Sequence, residues 1–177
     1  MALQGAFAEH AQMLSRLGVG SFLVRSRLDW DRGKDALIIP GGESTAMMRI
    51  IRDVGLYAPV RDAVLSGLPV FGTCAGLIML DGGHLGTMDI RVRRNAYGRQ
   101  LGSFRTTDVF KGLGRVPMTF IRAPYITHAG DGVEVLATVD GNIVAARQGR
   151  QLVTSFHPEL DGDTRIHQYF LSLTEGW

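Results

Sequence analysis

The sequence predicts an α/β domain in which a mostly parallel central sheet is covered by helices on both faces. Three observations carry that reading. In the first eighty residues short, apolar, β-prone runs alternate with amphipathic stretches of helical period. Two of those runs, Ala36 to Ile39 and Val70-Phe71, are apolar at consecutive positions, as strands buried on both faces are. Each ends in a glycine-bearing turn that opens a helical stretch, Pro40-Gly41-Gly42 in one case and Gly72 to Gly76 in the other. The 177 residues are enough for one domain, 1–177, with a sizeable core, and no repeat, low-complexity tract or linker divides them.

Taken in order, Ala6 to Leu17 has helical spacing at Phe7, Met13, Leu14 and Leu17, with Gly18 as its stop. Ser21 to Val24 reads as a short strand, and Ala36 to Ile39 as another. Glu43 to Val54 is a helix with Met47, Ile50, Ile51 and Val54 on one face, and Tyr57 to Leu65 is a second. After the strand at Val70, a buried helix begins at Ala75. Beyond Leu80 the texture changes. Gly82-Gly83 and Gly86 mark a loop, and strands are expected at Asp89 to Arg93, Met118 to Ile121, Val133 to Thr138, Ile143 to Arg147 and Leu152 to Ser155. Asp140-Gly141-Asn142 is a hairpin signal, and a helix over Thr164 to Leu173 closes the chain.

Composition narrows the function. Apolar residues make up 45% and charged residues 20%, the proportions of an ordinary soluble domain. Net charge is 19 − 17 = +2, too small to argue for nucleic acid. No apolar stretch reaches membrane-spanning length, and MALQGAFAEH is not a basic leader followed by an apolar run. A single cysteine excludes an internal disulfide and suits a reducing cytoplasm.

That cysteine, Cys74, lies in Gly72-Thr73-Cys74-Ala75-Gly76, a G-x-C-x-G turn between strand and helix. A nucleophile on such a corner is exposed and strained, and unpaired N–H groups at a helix start favour the thiolate and can hold an oxyanion. Taken alone, Cys74 reads equally as a small buried hydrophobe, so a partner base must decide. His157-Pro158-Glu159 follows the last strand. In an extended segment residues two apart point the same way, which lets Glu159 reach the His157 ring and leaves its other nitrogen to act as base. By itself that pair reads rather as a surface contact at a strand end; joined to G-x-C-x-G in an α/β chain it reads as a Cys-His-Glu triad. His10, His84, His128 and His167 have no such neighbour and are expected at the surface. Pro40-Gly41-Gly42-Glu43-Ser44-Thr45 sits where open α/β sheets bind ligands, and its two glycines let the backbone approach a substrate and offer N–H donors to an oxyanion; the alternative is a plain helix cap, with Ser44 or Thr45 doing that work. It lacks the lysine of a phosphate-binding loop.

With these elements in hand, the chain resembles the class I glutamine amidotransferases. Within them it is similar to the glutaminase subunits of pyridoxal 5′-phosphate synthase. LQGAFAEH (Leu3 to His10), PGGEST (Pro40 to Thr45), FGTCAGLI (Phe71 to Ile78), RRNAYGRQ (Arg93 to Gln100), FIRAP (Phe120 to Pro124), AARQG (Ala145 to Gly149) and SFHPEL (Ser155 to Leu160) carry the resemblance. It implies a three-layer sandwich and a glutaminase with Cys74 as nucleophile and His157 and Glu159 completing the triad. It puts Gly42, Glu43, Ser44, Arg94, Ile121 and Arg122 around L-glutamine, where an arginine suits the α-carboxylate. It calls for no metal and no cofactor. Its partner would be the barrel-shaped synthase subunit, in a large hetero-oligomer that receives the ammonia. Family members usually begin with an apolar strand before LQGAF; here Met1-Ala2 stands in its place, so the first strand is expected to be missing. The stretch from Asp81 to Asp89 is also shorter than usual. The competing readings are a glutaminase serving another synthase, such as imidazole glycerol phosphate synthase, a cysteine peptidase or esterase on a similar fold, and a non-catalytic regulatory subunit.

Overall fold

Parallel strands must be joined by crossovers long enough to hold a helix, and the first half of the chain supplies them. The computed structural model describes residues 7–94 and 103–175. In chain order these form α1 (Phe7–Arg16), α2 (Arg27–Trp30), β1 (Leu37–Ile39), α3 (Ser44–Asp53), α4 (Tyr57–Leu65), β2 (Val70–Thr73) and α5 (Ala75–Leu80). There follow β3 (Ile90–Arg93), β4 (Ser103–Phe110), β5 (Gly114–Ile121), β6 (Tyr125–Ala129), β7 (Glu134–Val139), β8 (Asn142–Gln148) and β9 (Gln151–Thr154), then α6 (Arg165–Ser172).

The main sheet runs β1-β2-β9-β8-β6-β3, with β7 also paired to β8. β1, β2 and β9 are parallel, while the pairings made by β8, β6, β3 and β7 are antiparallel. The sheet is therefore mixed. Among the described residues no further crossover helix lies between α5 and β9, and turns as tight as Asp140-Gly141 allow only antiparallel return. Both residues of that turn have positive φ, at 49° and 77°, as the hairpin signal requires. β4 and β5 form a separate antiparallel ribbon.

The side-chain alternation of the strands divides the core in two. Leu37, Ile39, Val70 and Val153 pack with Met47 and Ile51 of α3, Val60 of α4 and Leu77 of α5. Their neighbours Ile38, Phe71, Ala145 and Leu152 pack with Phe170 of α6 and with Phe110, Met118 and Phe120 of the ribbon. Helices, sheet, and a layer of helix plus ribbon make three layers.

Several elements differ from expectation. Ser21–Val24 joins no sheet among the described residues; Val24 instead fills the same core as Trp30. α2 is a single turn started by a capping box, with the Ser26 hydroxyl accepting from Asp29 N–H and the Asp29 carboxylate accepting in return. β4 and β6 were not expected, because their polar, half-exposed residues hide the apolar alternation that marks a strand. The parts of LQGAFAEH and RRNAYGRQ at 3–6 and 95–100, and with them the question of a first strand, lie outside the described residues. Among those residues no helix is long and apolar enough to cross a membrane.

Candidate active site

Three turns meet at one end of the parallel strands because of their register. Ile39 pairs with Gly72 and Thr73 with Thr154, so the segments leaving β1, β2 and β9 emerge side by side. Cys74 is the whole of the corner between β2 and α5. Its φ of 51° and ψ of −104° lie where L-residues rarely go, a strain of about 1–3 kcal/mol that the surroundings must hold. They do so through the bond from Cys74 N–H to the Thr154 carbonyl at 2.8 Å. A glycine is also required at position 76, since a Cβ there would overlap the Ile39 carbonyl oxygen of the neighbouring strand.

His157 is fixed by its N–H bond to Thr119 O, 2.8 Å. The segment after it is not extended as expected. Pro158–Leu160 is a 3-10 turn with Pro158 at its start, where a missing N–H costs nothing. The turn still brings Glu159 back onto the ring, with Oε1 2.7 Å from His157 Nδ1. The other side of the imidazole bears on Cys74. Burial alone would lower the His157 pKa, but the interactions with Cys74 and Glu159 outweigh it and hold the value at about 10. Cys74, His157 and Glu159, expected together from two separate motifs, lie side by side here, with His157 bonded to Glu159 and interacting with Cys74.

The six residues expected to surround glutamine divide between two borders of this corner. Gly42 and Glu43 are exposed on the loop after β1, and Ser44, which opens α3, is buried. The cap of α3 is Glu43, not Ser44 or Thr45: its carboxylate accepts from Thr45 N–H at 2.9 Å and Ala46 N–H at 2.7 Å. Those bonds, with the nearby charge of Arg94, hold the Glu43 carboxyl below its usual range. Arg94 donates to Thr45 Oγ1 at 3.2 Å and to His84 Nε2 at 2.7 Å. His84 in turn meets Asp81 at 2.6 Å, so it too has a carboxylate neighbour. On the other border, the Ile121 carbonyl oxygen is 3.9 Å from Cys74 Sγ, and Arg122 follows with a positive φ of 44°. Gly41, immediately before the loop, is buried against the triad; a Cβ there would run into the His157 ring.

Two histidines expected at the surface are in fact buried. His10 of α1 is 3% exposed and His167 of α6 is fully covered. The missed signal is helical spacing: His10 precedes Met13 and Leu14 by three and four positions, and His167 precedes Phe170 by three, which puts both on apolar stripes. A cavity of about 630 Å³ lies between α1, β1 and the end of α6. His10 lines it, but Cys74 and His157 do not, so its size says nothing about where the chemistry occurs.

A cysteine corner on a three-layer α/β sheet fits the glutamine amidotransferase class, and comparison with known proteins shows that class. A solved structure described as a glutamine amidotransferase superposes with a TM-score of 0.92 at 45% identity, covering 98% of this chain and 96% of that one. The model of the SNO glutamine amidotransferase family matches residues 1–175, and the chain belongs to that family. It is 57% identical to a pyridoxal 5′-phosphate synthase subunit PdxT from Methanocorpusculum labreanum, over 99% of this chain and 96% of the relative. It is 56% identical to the subunit of the same name from Streptococcus pneumoniae, over 98% and 95%. A more distant structure, a glutamine amidotransferase from Thermotoga maritima, has a TM-score of 0.63 at 14% identity, covers 96% of this chain and 77% of its own, and shares the fold.

Proposed function

We propose that this chain is the glutaminase subunit of a pyridoxal 5′-phosphate synthase, hydrolysing L-glutamine to L-glutamate and ammonia. The observation that carries the chemistry is the strained Cys74 corner facing a His157 whose far nitrogen is bonded to buried Glu159. The similarity to PdxT subunits supports the pathway.

In this scheme the Cys74 thiolate attacks the side-chain carboxamide carbon of glutamine, and the electron pair moves onto the carbonyl oxygen. Backbone N–H groups near Gly42 and after Cys74 receive that oxyanion. As the C–N bond breaks, His157 gives its proton to the departing nitrogen, leaving a γ-glutamyl thioester and ammonia. His157, now neutral, takes a proton from water, whose oxygen attacks the thioester; glutamate leaves and the thiolate returns. Glu159 keeps the imidazole oriented and balances its charge throughout. Glu43, Arg94, Arg122 and the backbone of Gly42, Ser44 and Ile121 would receive the α-amino and α-carboxylate groups.

Ammonia released into water is protonated and no longer a nucleophile, so the product must pass directly to a second enzyme. That partner is the synthase subunit, assembled with this chain in a large hetero-oligomer. A reducing cytoplasm would keep Cys74 as a thiol. The test is glutamate release with and without the synthase subunit. Strong stimulation by the partner and complete loss in Cys74→Ala are expected; a Cys74→Ala protein that still releases ammonia would rule the scheme out. Co-elution of the two subunits on gel filtration with glutamine present checks the assembly.

A further inference from the structure

The triad accounts for one oxygen of Glu159 and leaves the other unexplained. Oε1 meets His157 Nδ1, while Oε2 is buried and makes no well-formed hydrogen bond among the described residues. A carboxylate oxygen in a side chain with 0% exposure is costly if nothing compensates it. Opposite it is His10, whose Nε2 lies 3.4 Å from Oε2 and 3.2 Å from Thr73 Oγ1. The second nitrogen of His10 faces His167 Nε2 at 2.9 Å, and His167 Nδ1 meets no partner among the described residues. His10 comes from α1, Thr73 from β2 and His167 from α6, so three elements converge behind Glu159.

Either His10 tautomer satisfies the contacts to His167 and to the Thr73 hydroxyl, which can donate or accept, so Glu159 selects between them. A bare His10 nitrogen facing a carboxylate oxygen would set two lone pairs against each other, so the His10 proton belongs on Nε2. Nδ1 of His10 then accepts from His167 Nε2–H. The nitrogen left over, His167 Nδ1, is an unfilled acceptor, which costs less than an orphaned N–H. Burial favours neutral rings at both positions. It pushes His10 well below its usual pKa, with the charge of His157 adding to the effect, and it lowers His167 to about 4.

We propose that His10 is a positioning residue of this site: its Nε2–H holds the second oxygen of Glu159, and His167 fixes the His10 tautomer that does so. The proposal rests on the glutaminase reading and deepens it. A neutral donor anchors Glu159 without cancelling its charge, which remains available to His157 when that ring is protonated. Without the anchor the carboxylate can rotate about its last bond, and the 2.7 Å contact that aims the imidazole at Cys74 is lost.

The test compares two substitutions in the full chain, assayed for glutamine hydrolysis in complex with the synthase subunit. His10→Phe keeps a flat ring beside Phe71 and removes the N–H; His10→Gln keeps a donor. The phenylalanine variant is expected to lose about 10- to 100-fold in kcat, by analogy with the outer partners of metal-bound imidazoles, with little change in KM. The glutamine variant should recover most of that loss. An unchanged kcat in His10→Phe, or equal impairment of both variants, overturns the proposal. Nitrogen-15 shifts of the wild-type imidazoles read the same claim without a substitution, should His10→Phe fail to fold. A neutral His10 protonated at Nε2 is expected, and protonation at Nδ1 alone or at both nitrogens overturns it. A wild-type chain that hydrolyses no glutamine with its partner present would instead defeat the triad reading, and the tautomer measurement would still decide whether His10 holds Glu159.

Discussion

After β1 the chain turns into α3 through Gly41-Gly42-Glu43; after β2, one strand over, it turns into α5 through Cys74 alone. The first corner is exposed at Gly42 and Glu43 and capped by a side chain. The second is buried, has no side-chain cap, and holds its one residue at a φ of 51°. Cys74 must hold one geometry against the imidazole, so the fold spends strain to fix it. The loop after β1 must receive a ligand, so its bonds are local and replaceable. Two corners on adjacent parallel strands thus divide the labour of rigidity and adaptation.

Gly76→Ala should break the second corner most completely, because the new Cβ overlaps a backbone oxygen that cannot move without shifting β1. A loss of about 3 kcal/mol or more is expected in denaturant unfolding, at the upper end for overpacking. Gly41→Ala tests the first corner where it touches the triad. The Cβ displaces the His157 ring, and a shift on the order of 1 Å should cost about 100-fold in kcat while the chain stays folded by circular dichroism. Cys74→Gly removes the strain together with the nucleophile. Glutaminase activity should vanish there and in Cys74→Ala alike, and since both lose the thiol but only glycine relieves the φ, the glycine variant should be the more stable by about 1 kcal/mol; equal or lower stability would show that the corner is not strained.

The two corners should also weaken at opposite ends of the pH scale. His157 has a folded pKa raised from 6.5 to about 10, so its contribution is fully present below pH 6.5 and is lost as pH rises towards 10. Glu43 is held below 4.5, so its contribution is present above that value and is lost as pH falls through the folded pKa. Melting temperatures of His157→Gln and wild type should converge in alkali. Those of Glu43→Gln and wild type should converge in acid, with the smaller gap of the two, since Glu43 is exposed.

Much of the site was legible because its signals are local. G-x-C-x-G, H-P-E and PGGEST each announce a turn chemistry within six residues, and α3, α4 and α6 fall within a residue or two of their expected bounds. The histidine pair was not legible. His10 and His167 are 157 positions apart, and each reads as an ordinary polar residue until the helices that carry it are docked beside Phe71. The cap of α3 was missed for a smaller reason. Glutamate is a weaker prior for a cap than serine or threonine, and only the observed bonds to Thr45 and Ala46 show which side chain does the work.

By itself the sequence determined the parallel half of the sheet, the corner that presents Cys74 and the pairing of His157 with Glu159. The first two follow from side-chain period and glycine placement; the pairing holds although its expected basis does not, since a 3-10 turn and not an extended segment brings Glu159 onto the ring. Beyond the one hairpin signalled at Asp140-Gly141, only the tertiary structure decided how the later strands pair, that Gly41 rests against the imidazole, and that His10 and His167 stand behind the carboxylate. These depend on how strands and helices far apart in the chain are brought into register, and a linear pattern carries no record of that distance.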